Sequence, residues 1–324
     1  MTPVPDPHFS RSKILNLLER SFEKRTSLFQ ITNAVRLVNG KGDELTGLTI
    51  DQYDRHFVVK VFDPVWNPQL DAIRYFLLRR FNPQYLIFKE ASSEKTGSTY
   101  ENLDFVGATS QTVVTENGLK FWVDLKDHFN TGLFLDMRKN RKMIGTLSQG
   151  KSVLNTFSYT CSFGVYCKSW GSLDVVNVDV RPKILEWGKK NYQLNDLSFS
   201  KNEFVRANAV QYLLRAVKKE NKFDVIILDP PSFSRDEGKI FSVKKDLGGL
   251  IHCAIQILNP EGYLFVSTNF SGFSTDQLEK EVRKQAFLEK RLIKKISPLG
   301  QDRDFQGSGL VKESYLAALL VHFK

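Results

Sequence analysis

Asp229-Pro230-Pro231-Ser232-Phe233 is the most chemically pointed stretch of the chain. It follows the apolar run Val225-Ile226-Ile227-Leu228, which reads as a buried strand, and prolines cannot extend a central strand. The chain must leave the sheet stiffly there, with a carboxylate at the exit and an aromatic ring just beyond. Asp229, Pro230, Pro231 and Phe233 together make a platform on which a base turned out of its stack can lie and be hydrogen-bonded. A plain diproline turn capped by Asp is the competing account. The motif's place after the fourth strand of an alternating pattern counts against that account.

Other candidate ligand groups sit at the ends of neighbouring strands. The loop after the first strand reads Ser158-Tyr159-Thr160-Cys161-Ser162-Phe163-Gly164. It is no G-x-G-x-x-G fingerprint, which disfavours a pyrophosphate cofactor, whereas the hydroxyls of Ser158 and Thr160 suit the carboxylate and ammonium of an amino-acid moiety. Asp179 ends the second strand about 20 residues on, where an acid hydrogen-bonds ribose hydroxyls in nucleoside-binding sheets. It is equally placed to cap the helix that Pro182 opens. Asn208 follows the third strand, where an amide could read an adenine edge. Ahead of the first strand, Arg138 and Arg141 are three apart and share a face if the segment is helical. They could clamp a carboxylate or an RNA phosphate, or belong to a solvated basic helix. Cys161, Cys167 and Cys253 fit neither a disulfide framework nor a zinc motif, and no metal site is expected.

These residues need a scaffold. Strand patterns at 153–157, 175–179, 204–207, 223–229 and 263–268 alternate with helical patterns at 181–194, 209–219 and 243–258, which implies βαβ units and a parallel sheet. Residues 289–296 and 315–323 read as two last strands joined by a polar loop without a helix. Earlier in the chain, an amphipathic helix at 9–25 precedes short strands at 34–38, 48–50, 56–62 and 85–89, a helix at 69–81, and a hairpin around Glu116-Asn117-Gly118. The expected division is a basic helix at 1–27, a small α+β domain with antiparallel pairing at 28–125 that positions RNA, and a catalytic domain at 126–324.

Composition narrows the partner. The 41% hydrophobic and 25% charged content is that of an ordinary globular protein. Lys and Arg number 46 against 36 Asp and Glu, a net charge of +10, clustered at Arg11 to Arg25, Arg138 to Lys142 and Lys280 to Lys295. Such a balance favours a polyanionic partner, and RNA is the expected one. Apolar runs are too short to cross a bilayer, and residues 1–11 lack the apolar core of a secretory signal. A cytoplasmic protein without a membrane partner is expected, its oligomeric state left open with a homodimer among the options.

With these motifs in view, the chain resembles the class I S-adenosylmethionine-dependent methyltransferases of the bacterial large-subunit rRNA group, in particular the RlmI and RlmK types. The resemblance runs from about Phe29 to the C-terminus. It rests on Arg36-Leu37-Val38-Asn39-Gly40 with Leu48 to Tyr53, on Thr131 to Arg141, on Asn155-Thr156-Phe157-Ser158-Tyr159-Thr160, on Asp179, and on Asp229 to Phe233. It implies an α/β fold: a Rossmann-like class I methyltransferase domain, whose mostly parallel seven-stranded sheet ends in an antiparallel hairpin, preceded by a small α+β domain. It implies S-adenosylmethionine as cofactor and large-subunit rRNA as substrate. Ser158, Thr160, Asp179, Asn208 and Asp229 would line the cofactor site with Arg138 and Arg141 nearby, and Pro230, Pro231 and Phe233 would face the base. The chain also departs from the pattern. RlmI-type proteins usually begin with an RNA-binding PUA domain, and this chain starts at the helix that would follow it. The family's paired glycines after the first strand are Cys161 and Ser162 here, Asn208 stands where Asp is frequent, and Asn130 where Lys is frequent.

The atom to be methylated follows from cysteine placement. Cytosine C5 needs a thiolate to add at C6 first, yet the strand ends near the base read Pro230-Pro231-Ser232 and Ser267-Thr268-Asn269-Phe270. Guanine N7 carries a free lone pair and needs only in-line orientation, and the stretch Ser267 to Gly272 is more similar to the RlmK type. Direct transfer to purine N7 is therefore preferred over cytosine C5. An exocyclic amine oriented by Asp229 also remains open, as does an RNA-binding homologue that has lost catalysis.

Overall fold

The computed structural model describes residues 10–91, 100–127, 130–236, 239–270, 272–306 and 315–324. Phe9 of the expected first helix and Ser271 lie outside the described residues. The chain divides into two compact units. One runs through Arg138 and takes back the segment beginning at Gln301; the other comprises Lys139–Gly300 and Tyr315–Lys324. The division thus differs from the sequence boundaries: it falls after Arg138, the N-terminal helix belongs to the first unit, and residues 301–306 return to it. Buried ion pairs that tie Asp302 and Asp304 to Arg138 are the physical reason.

In the first unit, α1 (Arg11–Glu23) is capped by Ser10, whose Oγ accepts from the Lys13 amide at 3.3 Å, and it buries Ile14, Leu17 and Leu18. Then follow β1 (Ala34–Asn39), β2 (Leu48–Tyr53), β3 (His56–Val61), α2 (Leu70–Phe81), β4 (Tyr85–Ala91) and β5 (Tyr100–Gly107), one sheet in chain order. The pairing is antiparallel except between β3 and β4, which run parallel. The expected antiparallel pairing is thus interrupted once, where α2 supplies the crossover that a parallel pair requires. β6 (Gln111–Glu116) and β7 (Leu119–Asp124) form the hairpin read from Asn117-Gly118, both at positive φ as a tight primed turn demands.

The second unit carries α3 (Arg138–Leu147), which opens on the last residue of the first unit. It continues with β8 (Ser152–Thr156), α4 (Ser162–Ser169), β9 (Asp174–Asp179), α5 (Pro182–Leu194), β10 (Phe204–Arg206), α6 (Ala209–Lys218) and β11 (Phe223–Leu228). After β11 come the hairpin β12 (Phe233–Asp236) and β13 (Lys239–Ser242), then α7 (Val243–Gln256), β14 (Leu258–Thr268), α8 (Thr275–Leu288), β15 (Ile293–Leu299) and β16 (Ala317–Phe323). The sheet order is β10-β9-β8-β11-β14-β16-β15, parallel through β14 and closed by the antiparallel β16 and β15. This is the α/β class expected, with the terminal hairpin. Val225 to Leu228 on the central strand are wholly buried, as a strand covered on both faces requires. The order turns back between β8 and β11, so the carboxyl ends of those strands and their neighbours form the crevice where ligands collect.

Some elements depart from the sequence reading. α4 and α8 were not expected, nor was the β12–β13 hairpin. β15 begins at Ile293 rather than at residue 289, and the link before β16 includes a 3-10 turn at Arg303–Phe305.

Candidate cofactor and substrate site

The loop from β8 to α4 has an unusual backbone. Phe157, Tyr159 and Cys161 have φ of 53°, 48° and 60°, the left-handed region that costs an L-residue roughly 1–2 kcal/mol. Alternating such residues turns the amides inward. The Ser158 N–H donates to Val178 O at 3.0 Å, the Tyr159 N–H to Asp179 Oδ2 at 3.0 Å, and the Cys161 N–H to Ser158 O at 2.8 Å. The end of β9 therefore holds the loop, and the loop holds Asp179.

Cys161 fills a position suited to glycine, and its buried side chain needs space. A Cβ on Gly188 of α5 would strike the Cys161 Sγ, so the missing side chain of Gly188 is what accommodates the thiol. Behind the loop lies a buried amide network. Asn155 Nδ2 donates to Asn177 Oδ1 at 2.9 Å, Asn177 Nδ2 to the Tyr192 hydroxyl at 3.0 Å, and Asn191 Nδ2 to Thr160 O at 3.0 Å. A Cβ on Gly164 would collide with Asn177 and Tyr192, so this glycine lets α4 approach β9 closely.

Asp179 accepts one backbone N–H on each oxygen, from Tyr159 and from Arg181, the latter at 3.0 Å. Its side chain is 11% exposed and the Arg181 guanidinium stays 3.9 Å away. Burial raises its pKa above the ordinary value, and the backbone donors together with Arg181 only partly oppose that. Each carboxylate oxygen has room for a further donor, which is what ribose hydroxyls would offer.

At the next strand ends, the parallel register pairs Leu228 of β11 with Val266 of β14, which sets Asp229 beside Ser267. The buried Ser267 hydroxyl donates to Asp229 Oδ1 at 2.6 Å. Three residues on, the Ser232 hydroxyl donates to Asn269 Oδ1 at 2.7 Å. Pro230 is buried, while Pro231 and Phe233 are exposed, Phe233 at 55%. The structure thus brings together a held carboxylate, a stiff turn and an exposed aromatic ring.

Other expected residues stand differently. The Asn208 side-chain carbonyl is the N-cap of α6, accepting from the Val210 and Gln211 amides at 3.1 and 3.3 Å. Ser158 and Thr160 are both buried in the loop. Arg138 is a correction. It lies in the first unit at 1% side-chain exposure, with Nη1 and Nη2 on Asp304 at 3.1 and 3.0 Å, Nη1 on Asp302 at 3.2 Å, and Glu116 at 3.6 Å from Nε. Burial alone would lower its pKa; these carboxylates raise it instead. It is a structural cation, and no solvent-facing clamp. Arg141, on α3 of the second unit, is buried as well. Sequence reasoning missed Ser267 and Asn269 as holding groups, and the signal available was the β11–β14 register.

A family model described as S-adenosylmethionine-dependent methyltransferase matches residues 91–299. The chain belongs to that family. Ribosomal RNA large subunit methyltransferase K of Neisseria meningitidis is 38% identical over 235 residues, covering 70% of this chain and 65% of the relative, just under two thirds of it. Ribosomal RNA large subunit methyltransferase I of Aeromonas salmonicida is 31% identical over 320 residues, covering 95% of this chain and 79% of the relative. Among solved structures, SMU.776 complexed with S-adenosylhomocysteine superposes with a TM-score of 0.86 at 27% identity, covering 97% of this chain and 82% of that one. S-adenosylmethionine is the cofactor, and the residues fit it: a carboxylate with spare acceptor capacity at the end of β9 suits the ribose, beside a loop whose backbone is fixed. No helix among the described residues is long and apolar enough to cross a membrane.

Proposed function

We propose that this chain methylates large-subunit ribosomal RNA, and that the acceptor is guanine N7, reached by direct in-line displacement. The cofactor supplies a methyl group carried on a sulfonium. Asp179 would hold the ribose, Asn208 would offer its amide to the adenine, and Ser158 and Thr160 belong to the loop beside the amino-acid portion. Asp229, fixed by Ser267, would accept hydrogen bonds from the target base, and Phe233 would stack on it against the stiff Pro230-Pro231 turn. N7 carries no proton, so the protein needs to provide orientation and no base. The first unit, with Arg11 and Arg79 over Tyr75, would position the RNA through its phosphates.

The observation that carries the N7 reading is the location of the cysteines. Cys161 and Cys167 are fully buried, and burial pushes both thiols up. Cys253 sits within α7, packed against the core, and its thiol is also raised by burial. The chain has no further cysteine, so no thiolate stands at the Asp229 or Ser267 strand ends to add to a cytosine. The test begins with calorimetric titration of S-adenosylhomocysteine and continues with labelled methyl transfer to ribosomal RNA. Cleavage at N7-methylguanine by borohydride and aniline, without a covalent adduct on 5-fluorocytidine RNA, is expected. A trapped adduct or a methylated cytosine would overturn the N7 assignment, and a folded protein that binds no homocysteine product would leave RNA binding without catalysis.

A further inference from the structure

Two side-chain hydrogen bonds tie the exits of β11 and β14 together, and their polarity has a chemical reading. Ser267 is buried and gives its proton to Asp229, so the carboxylate is held as an acceptor at the strand exit. Ser232 gives its proton to the carbonyl oxygen of Asn269. That bond fixes which way the Asn269 amide points: the oxygen faces Ser232, and the NH2 end faces away. Asn269 is exposed at the end of its strand. A bond between exposed neutral groups adds little to stability, whereas orientation of the amide has a direct use in a base pocket. The motif that follows β11 and the residues that end β14 thus present a carboxylate acceptor and an oriented amide donor side by side.

Guanine matches this pair. It offers two adjacent donors, N1–H and the N2 amine, to a carboxylate that accepts in bidentate fashion, and next to them the O6 acceptor. Adenine lacks the paired donors, and cytosine offers a single amine. We infer that Asn269 is a base-specificity residue that donates to guanine O6, with Ser232 as its positioning residue and Asp229 accepting from the N1 and N2 edge. The inference rests on the guanine reading of the preceding section and adds to it the residue that selects the base.

The experiment uses the full chain and a synthetic RNA spanning the mapped methylation site. The target position carries guanosine or 6-thioguanosine, whose sulfur is a poor acceptor in place of O6. Wild type should lose about 10- to 100-fold in kcat/KM on the thio-substituted RNA, the usual range for a lost base-edge contact. N269A should lose a similar factor on guanosine RNA and nothing further on 6-thioguanosine RNA, since the contact is already gone. S232A should show part of the same loss with the same insensitivity. S-adenosylhomocysteine affinity, measured by calorimetry, should be unchanged in both variants and certifies that they fold. Full sensitivity to 6-thioguanosine in N269A would overturn the role of Asn269 while leaving guanine methylation intact. Methyl mapping to a base other than guanine would overturn the reading beneath it.

Discussion

Asp43 in the first unit and Asp179 in the second are carboxylates with side chains 1% and 11% exposed, and their environments move them in opposite directions. Asp43 meets the Arg25 guanidinium at 2.7 and 2.6 Å, with Lys24 at 3.1 Å and the Asn39 N–H at 2.7 Å. Burial alone would raise its pKa, but these partners bring it below the ordinary value. Asp179 is held mainly by neutral backbone donors and is raised by burial. Asp304, which Arg138 grips twice, also has a cationic partner, but burial outweighs it and its pKa stays raised; Asp229 is held by a serine hydroxyl. A carboxylate that only supports the fold is neutralised in place. Asp179 and Asp229, which we propose receive ligands, are aimed mainly by uncharged donors.

Breaking the charge-matched side should have the largest effect on stability. R138M leaves Asp304 and Glu116 buried without their cation, at an expected loss of about 3–5 kcal/mol in denaturant unfolding. The protein that remains folded should bind S-adenosylhomocysteine as before; a clear loss of affinity would return Arg138 to the cofactor site. On the neutral side, D179A should cost about 1.5–3 kcal/mol of cofactor affinity, roughly 10- to 100-fold by calorimetry, with the fold retained. Because the ribose needs the ionised acid and burial raises its pKa, affinity should fall on acidification above the usual carboxylate range in wild type and not in D179N. Unchanged pH dependence in D179N would remove Asp179 from the ribose.

Smaller effects sharpen how the neutral donors are kept in place. G188A forces a methyl group onto the Cys161 thiol, beside the loop that presents the Tyr159 N–H, and should destabilise by about 1–3 kcal/mol. Adding C161G should restore most of that loss, and strict additivity of the two changes would sink the proposed complementarity. S267A removes one hydroxyl donor to Asp229, worth about 1 kcal/mol, and should lower kcat while sparing cofactor affinity.

Much of the second unit was legible because its central strands are short, mostly apolar and alternate with helical patterns, and because Asp179 ends one of them and Asp229 directly follows another. α4 escaped notice because Ser162 to Cys167 are all buried, so no polar face marks a helical period. α8 hid in a run read only as charge, although Ser274 and Gln277 form a capping box ahead of Leu278, Val282 and Ala286. Arg138 was misread for a different reason. Nothing near it in sequence distinguishes a buried cation from a solvated one, since Asp302 and Asp304 arrive from 164 and 166 residues away. Asn269 was visible only as the absence of a cysteine; its orientation came from a strand register that no local pattern encodes.

The return of residues 301–306 to the first unit also sets a schedule for the growing chain. Synthesis at about 5–20 residues per second places the 166 residues between Arg138 and Asp304 roughly ten to thirty seconds apart. Through that interval the first unit has its sheet and Glu116 but lacks the carboxylates that Arg138 is buried against. It can therefore reach its final form only after Asp304 has been made, and a nascent chain stalled before Asp304 should be open to protease around Arg138.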